Sequence, residues 1–541
     1  MCYRQPHTVL RATCNITQSL PRLTSSSLVF WLNADSSTRS TQPRRRATTM
    51  LTEALLGILL LVLLFSFVNK RPPNLPPGLW GLPIIGHLPS SEIPLHDQLQ
   101  MLKKKLGNII SWRMGSRIFI FFCDYKTIKA AFSKPEFSDR PDLYSFTVFN
   151  RFTETGIIIS NGQIWQNNRR FTLRHLRDLG MGKTRLEEAI QREAVCLVDD
   201  FERHAGRPGP LPWSINVAVL NVIWQMVANR RHNVNDFEIQ KLNKLTSSSF
   251  EDFQGIKWFD FMPWLVPIVP HFLKRWTGVV ELTDKIQVIS QRMAEHVKEH
   301  QATLDPENPR DYIDAYLLEM EAQKDDPNST MSIEDLLCCL SDLFNAGSET
   351  TSSTIRWAIY FLAKFPEVQA RVQKEIDSVV PRDVLPSIQQ RASMPYLEAV
   401  TLDVHRLASF TRIGVYHMCS RDTQFEGYVI PKGAILAAHQ EACHTDPAFW
   451  EKPYELYPEH FLDDQGKILT KKEGFLPFGV GRRQCLGESL ARMELFVFLS
   501  ALLQNFTFSA PEGKGICVDK DPKLPLLNLP KPVDILITKR K

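Results

Sequence analysis

The sequence FGVGRRQCLGE, residues 478–488, is the stretch of the chain that decides its fold. Its glycines allow sharp backbone bends, and a predicted amphipathic helix, Glu488–Leu503, follows at once. Cys485 therefore lies at a helix start, where the helix dipole and free backbone N–H groups favour an ionised sulfur that can ligate iron. The alternative is a buried free cysteine beside a tight turn, the usual state of a cysteine.

A second signal is AGSETT, residues 346–351, inside the long apolar helix predicted over Ile333–Leu362. A glycine in place of alanine in mid-helix costs about 1 kcal/mol, and it removes bulk where a small ligand needs room. A Thr350 hydroxyl beside the Glu349 carboxyl can pass protons inward. The alternative is a small-residue patch for helix packing with a solvated glutamate.

Both stretches resemble motifs of the cytochrome P-450 family. Residues 478–487 fill its pattern Phe-x-x-Gly-x-Arg-x-Cys-x-Gly, and residues 346–350 resemble Ala-Gly-x-(Glu/Asp)-Thr. The resemblance implies a haem-thiolate monooxygenase with haem b as cofactor and Cys485 as the ligand to iron. It also implies that Thr350 orients oxygen and that Glu349 is the adjacent proton-relay acid.

The resemblance extends to side chains around the haem rim. Trp165 and Arg169 match the family's Trp-x-x-x-Arg helix, one turn apart. Arg140, His417 and Arg483 occupy positions that reach haem propionates in related enzymes. The resemblance therefore implies that these five residues bind the cofactor.

The family's structural Glu-x-x-Arg ion pair is altered in this chain. Asp403 and Arg406 occupy its positions, and the aspartate is one methylene shorter than the usual glutamate. His460 stands where much of the family has arginine. Because buried pairs tolerate poor geometry badly, we expect incomplete haem loading, and Asp403→Glu is predicted to raise haem occupancy.

Composition narrows the function classes. The chain has 541 residues, 43% of them apolar, and a net charge of +5 from 64 basic and 59 acidic residues. This near-balance argues against a nucleic-acid binder. The ten cysteines form no Cys-x-x-Cys pair, so a disulfide framework or a zinc site is not expected and a reducing compartment fits better.

The N-terminal part predicts a membrane anchor. The run Ala54–Val68 is apolar or small throughout, and Lys70 and Arg71 after it favour a cytosolic C-terminal side. A cleaved signal peptide is the alternative. We therefore expect four segments: a disordered or mispredicted leader (1–49), a transmembrane signal anchor (50–70), a proline-rich hinge (71–89) and a monooxygenase domain (90–541).

The remaining patterns predict a mainly α domain with a minor β region. Helical periodicity dominates from Trp165 to Arg406. A hairpin is expected over Ile109–Trp112 and Ile118–Phe122 with its turn at Gly115, and strands over Thr423–Val429 and Val533–Thr538. This organisation suits the cytochrome P-450 fold as a single large domain.

Residues 79–86, 170–174 and 491–495 resemble the animal microsomal family-2 branch. That resemblance implies an endoplasmic reticulum membrane protein with a cytosolic catalytic body. Its partners would be NADPH-cytochrome P-450 reductase and, in some members, cytochrome b5. Arg170, Arg174 and Arg482 are candidates for the docking face, and an ordinary solvated charge cluster is the equal alternative.

The expected reaction is hydroxylation or epoxidation of a lipophilic small molecule. The aromatic segments Leu143–Phe149 and Phe250–Trp264 are predicted to contact it. Two alternatives stay open: a haem-thiolate isomerase that needs neither O2 nor reductase, and a catalytically weak lipid-binding or partner-binding member. The aspartate at position 403 is the feature that favours the second.

Overall fold

The computed structural model describes residues 53, 55–60, 65, 67, 69–178, 184–234, 236–469, 471–521 and 527–541. The predicted leader (1–49) and most of the predicted anchor lie outside these residues; within the anchor, the described residues up to position 67 are helical. In the part of the chain that is described, no helix is both long and apolar enough to cross a bilayer. Residues 67–541 form one compact unit.

The strands of this unit are short. They are β1 (Gly78–Leu79), β2 (Ile109–Met114), β3 (Arg117–Phe122), β4 (Gly209–Pro210), β5 (His417–Met418), β6 (Thr423–Phe425), β7 (Tyr428–Ile430), β8 (Ile435–Ala438), β9 (Phe506–Ser509) and β10 (Asp534–Lys539). They form a five-stranded sheet β1-β2-β3-β8-β5, a three-stranded sheet β4-β10-β9 and the pair β6-β7.

The predicted hairpin at Gly115 is confirmed and is slightly longer than expected. β2 and β3 pair antiparallel with Ile109 opposite Phe122, and β8 joins β3 in parallel. The predicted single strand Thr423–Val429 is wrong, because the chain reverses between β6 and β7 at Glu426 and Gly427. Both of these residues have positive φ, as two-residue hairpin turns require.

Helices make up most of the unit. They are α1 (Leu95–Leu106), α2 (Tyr125–Phe132), α3 (Tyr144–Phe149), α4 (Gly162–Asp178), α5 (Thr184–His204), α6 (Ser214–Ala228), α7 (Phe237–Phe261), α8 (His271–Trp276), α9 (Val279–Thr303), α10 (Tyr312–Ala322), α11 (Ile333–Lys364), α12 (Pro366–Val379), α13 (Pro395–Ala408), α14 (Gln440–His444) and α15 (Glu488–Asn505). The prediction of a mainly α fold with a minor β region is confirmed.

Three buried helices form the centre of the unit. α11 packs against both α6 and α15, and apolar side chains of all three belong to one large core cluster. α6 is buried on almost every face because its sequence is apolar all round. α11 and α15 begin at the predicted residues and end two residues later than predicted. The two motif-bearing helices therefore lie together in the core.

The predicted proline-rich hinge takes part in the sheet. Gly78 and Leu79 pair in parallel with β2, and Leu75 is buried. Arg71 donates to the Ser111 hydroxyl of β2 at 3.0 Å. The prolines thus leave a segment that cannot continue a helix, and this segment supplies the edge strand β1.

Candidate active site

The loop before α15 is held by its own backbone. The Cys485 N–H donates to the Phe478 carbonyl at 2.9 Å. Gly481 has φ +84°, and a Cβ there would lie 2.0 Å from the carbonyl oxygen of Phe132 in α2. This glycine is therefore needed for packing of the loop against protein backbone.

The Cys485 sulfur lies at the start of α15 and its side chain is accessible to solvent. Desolvation by the surrounding loop raises the pKa of Cys485, although hydrogen bonds from the backbone N–H groups of Gly487 and Glu488 and the positive charge of Arg169 lower it. The helix start therefore favours an ionised sulfur, as expected from the sequence, but desolvation opposes it. A metal cation that binds the sulfur would complete the deprotonation, since coordination displaces a thiol proton.

Three predicted arginines converge beside this loop. Asn161 Oδ1 accepts the Arg140 backbone N–H at 2.7 Å and a guanidinium N–H of Arg483 at 3.2 Å. Arg169 donates to the Gln484 carbonyl at 2.7 Å. The guanidinium of Arg483 lies 3.9 Å from the ring centroid of Trp165. The structure thus brings together four of the predicted cofactor-binding side chains.

This cluster carries a surplus of positive charge, because the charge of Asp139 acts on Arg483 but does not balance three arginines. Burial, together with the charge of Arg169, lowers the pKa of Arg140 to about 9, and burial with neighbouring arginines lowers the pKa of Arg483 to about 8. Within the described ranges, no acid lies at ion-pair distance from these arginines or from Arg169, and the buried Trp165 indole N–H finds no acceptor. Such a surplus of donors fits an anionic group such as the carboxylates of haem.

His417 lies beside the arginines in a neutral form. Its ring stacks on Phe132, and its Nδ1 lies 2.7 Å from the Phe137 carbonyl oxygen, which fixes the N–H at Nδ1. Burial, reinforced by the charge of Arg140, lowers the pKa of His417 well below its usual value. His417 can therefore donate from Nε2 only if a neighbouring anionic group stabilises a second proton on the ring.

The middle of α11 has one open face. Ala346 is exposed and Thr350 is half-buried, although most residues around them are buried. The Thr350 hydroxyl donates back to the Ala346 carbonyl at 2.8 Å. Glu349 is buried and faces α6 and α7, where it accepts hydrogen bonds from Asn216 and Ser247. The predicted pair thus sits on one helix with its two side chains engaged in different contacts.

Gly347 lies where α11 approaches α6. A Cβ at this position would lie 2.7 Å from Cδ1 of Ile223 in α6, the flexible end of that side chain. A small shift of Ile223 would admit a Cβ, so helix packing favours a small residue here without requiring glycine.

Asp403 and Arg406 form a complete, fully buried pair. Both side chains are 0% exposed, and the guanidinium donates to the two carboxylate oxygens at 2.6 and 3.3 Å. The backbone N–H of Tyr457 and the His460 ring fill the remaining acceptor positions at 2.7 and 3.1 Å. The expected poor geometry is absent, because His460 and Tyr457 close the space that the shorter side chain leaves.

Sequence reasoning missed two buried acids on α11. Asp335 accepts a backbone N–H from loop 156–158 at 2.8 Å, and Asp342 accepts two at 2.7 and 2.9 Å. Burial raises the pKa of Asp342 to about 7. Carbonyl oxygens of the same loop bond the buried arginines, so these acids support the cationic cluster. The sequence did contain a signal for these buried acids, since acidic residues recur every seven positions in an apolar helix, at Asp335, Asp342 and Glu349.

A family model described as Cytochrome P-450 matches residues 76–537. The chain belongs to the cytochrome P-450 family. Cytochrome P-450 2L1 of Panulirus argus is 51% identical over 494 residues, which cover 91% of this chain and all of the relative. Cytochrome P-450 2B4 of Oryctolagus cuniculus is 38% identical, covering 84% of this chain and 91% of the relative. Cytochrome P-450 2J2 of Homo sapiens is 36% identical, covering 85% of this chain and 91% of the relative.

These relatives make the chain a family-2-like cytochrome P-450. It is an oxidoreductase of the monooxygenase class that acts on a small molecule, and its cofactor is haem b. In this family NADPH supplies the electrons through a reductase. The described side chains fit the cofactor, since the uncompensated arginines and the free indole N–H lie next to an accessible cysteine at a helix start.

Proposed function

We propose that Cys485 is the iron ligand of this monooxygenase and that its substrate is lipophilic, oxidised by hydroxylation or epoxidation. The observation that carries the proposal is the accessible sulfur beside a buried cationic cluster that has no acid partner. When bound, thiolate-ligated haem iron supplies the activation of O2. The protein supplies binding, orientation and protons.

Each predicted side chain then has a distinct part. Arg140, Arg169 and Arg483 hold the propionates, with the Trp165 indole N–H as a further donor. His417 would join them if the charge of a propionate stabilised a second proton on its ring. These groups already hydrogen-bond backbone carbonyls, so their positions are set before the cofactor binds.

The α11 pair manages oxygen and protons in this proposal. The Thr350 hydroxyl borders the open helix face, so it can turn from the Ala346 carbonyl to a bound ligand. Glu349, the residue before Thr350 on the same helix, supplies the carboxyl group of the proton relay. Thr350 would orient oxygen, and Glu349 would deliver protons.

The lipophilic substrate is inferred from the contact between α3 and α7. Val148 of α3 packs with Ile256 and Phe259 of α7 in a small apolar cluster, and both predicted substrate segments contribute to it. Ser145 of α3 donates its N–H and its hydroxyl to Asp260 at 2.7 Å each. Burial raises the pKa of Asp260 to about 6, and both of its carboxylate oxygens are occupied by these hydrogen bonds rather than free to contact a substrate.

The direct test is the difference spectrum of the reduced, carbon-monoxide-bound protein, followed by turnover of lipophilic compounds with NADPH and reductase. We expect a Soret band at the thiolate position and NADPH-dependent oxygenated product. Turnover without NADPH would instead favour the isomerase. Purification without haem, with lipid binding retained, would favour the lipid-binding alternative. A shifted Soret band would exclude Cys485 as a functional ligand.

Reductase docking is proposed at the face formed by α4 and the cysteine loop. Arg170, Arg174 and Arg482 are exposed there, and Arg169 of the same helix contacts the loop through the Gln484 carbonyl. An exposed basic surface next to the sulfur suits an acidic electron donor. Cytochrome b5 would bind the same face.

Arg482→Glu is expected to raise the reductase concentration needed for half-maximal reduction by about three- to tenfold, since a charge at an interface rim acts mainly on the association rate. The salt dependence of the reduction rate should also weaken. Arg275→Glu in α8, equally exposed, is the control and should leave both unchanged. Equal effects of the two variants would exclude this docking face.

Membrane association is proposed for a second, apolar surface. Trp276 is 91% exposed, and Phe272 and Ile268 are also exposed. Ile85, also exposed, accepts the Gly115 N–H through its backbone carbonyl, and the next residue of that turn bonds the Phe261 carbonyl at the end of α7. Contiguous exposed apolar residues mark membrane or protein contact.

We therefore propose an endoplasmic reticulum protein with a leader (1–49), an anchor (50–70), a proline-rich segment (71–89) and a cytosolic monooxygenase domain (90–541). With vesicles that contain brominated acyl chains, Trp276 fluorescence is expected to be quenched. The quenched fraction should fall in Trp276→Phe and stay the same in Trp213→Phe, a tryptophan before α6. Quenching that is insensitive to Trp276→Phe would place the membrane elsewhere.

A further inference from the structure

Glu349 is buried in a polar contact where α6, α7 and α11 meet. Its Oε2 accepts from the Ser247 hydroxyl at 2.6 Å and from the Asn216 amide at 3.3 Å, and its Oε1 accepts from the Ser353 hydroxyl at 2.9 Å. Glu349 is 6% exposed, whereas Ser247 is only half-buried. Among these donors, Ser247 therefore offers the shortest contact and a connection to solvent.

The Asn216 amide is fixed on its other side. Its Oδ1 accepts from the Arg356 guanidinium, and its Nδ2 also donates to the Ser352 hydroxyl at 3.1 Å. The positive charge of Arg356 interacts with Glu349. Asn216 thus presents its amide N–H to the Glu349 carboxyl in a set orientation.

Asn243, one helical turn before Ser247, indicates hydration beside the relay. Its amide oxygen and nitrogen are both buried and bond no atom of the described residues. Its backbone carbonyl lies 3.1 Å from the Ser247 hydroxyl, so the two residues share one face of α7. A buried amide needs hydrogen-bond partners, and ordered water supplies them where protein does not.

We propose that Ser247 is the relay through which Glu349 is reprotonated from solvent. The Ser247 hydroxyl passes its proton to Glu349 Oε2 and takes a proton from water held near Asn243. One proton moves inward, the hydroxyl is restored and no electron is transferred. The inference rests on the proposed function, because it presumes that Glu349 delivers protons to the oxygen site.

The test measures how fast the Glu349 carboxyl exchanges its proton with solvent in the full-length, haem-loaded protein. Its infrared C=O band, assigned by its loss in Glu349→Gln, is followed after mixing with D2O. In Ser247→Ala we expect the deuterium shift to slow at least about tenfold, because the hydroxyl step is lost. Ser248→Ala is the control, since that hydroxyl bonds the Leu245 carbonyl within its own helix.

Ser247→Thr and Ser247→Val form a matched pair of nearly equal shape that differs in the hydroxyl. Threonine should keep the fast exchange and valine should lose it, which separates the relay from packing if the alanine variant folds poorly. In turnover, the variants without a hydroxyl should divert more NADPH electrons to hydrogen peroxide and show a larger solvent isotope effect.

Exchange in Ser247→Val within about twofold of that in Ser247→Thr would overturn the relay, since general acid–base steps contribute far more than that. This outcome leaves the proposed function standing. Conversely, hydroxyl-dependent exchange in a protein without NADPH-dependent oxygenation would keep the relay and exclude the monooxygenase role of Glu349.

Discussion

Cys485→Ser is expected to abolish both the thiolate-type Soret band of the reduced carbon-monoxide complex and all measurable product formation. A serine hydroxyl is about the same size as the thiol, but it does not ionise near neutral pH and is a hard ligand in place of a soft one. The loop itself should keep its shape, since Gly481 still packs on Phe132 and the position-485 N–H still bonds the Phe478 carbonyl.

Cys517→Ser is the matched control for this variant. Cys517 is also an accessible free cysteine, but its sulfur lies beside Asp519 and away from the arginine cluster. The Cys517→Ser protein should retain the spectrum and activity of the unsubstituted protein. Far-ultraviolet circular dichroism of both variants checks that they fold. A Cys485→Ser protein that keeps its thiolate band and its oxidising activity would refute the assignment of the ligand.

The parts of the molecule that the sequence predicts are those encoded by neighbouring residues. The cysteine loop, the helix start at Glu488 and the long helix from Ile333 are local patterns, and each was found at its predicted first residue. The hairpin at Gly115 is local too. The strand over Thr423–Val429 failed because the Glu426-Gly427 turn interrupts a run whose β-propensity is continuous.

The parts that could not be predicted depend on segments far apart in the chain. Gly347 lies against Ile223 of α6, and nothing near position 347 encodes that contact. The pKa of Cys485 depends on how much water the folded loop removes, which a helix-dipole argument omits. The direction of the Glu349 side chain likewise follows from the packing of α6 and α7 against α11.

The second large effect is expected at the buried ion pair. Asp403→Asn should lower the free energy of unfolding by about 3–5 kcal/mol, because it leaves the Arg406 charge buried without compensation. Haem occupancy should fall with it, since α13 carries this pair and packs against α11 and α15. Urea unfolding followed by circular dichroism measures the first effect, and the ratio of Soret to protein absorbance measures the second. Glu202→Gln, which removes an exposed pair with Lys539, should cost less than about 1 kcal/mol.

Asp403→Glu separates the two accounts of this site. From the sequence alone, the longer side chain should improve the pair and raise haem occupancy. In the structure, Asp403 already meets Arg406, Tyr457 and His460, and the site is fully buried, so an added methylene has to displace one of them. Overpacking of this kind costs about 1–3 kcal/mol, and we therefore expect lower stability and lower haem occupancy. Higher occupancy in parallel preparations would mean that His460 and Tyr457 do not complete the pair.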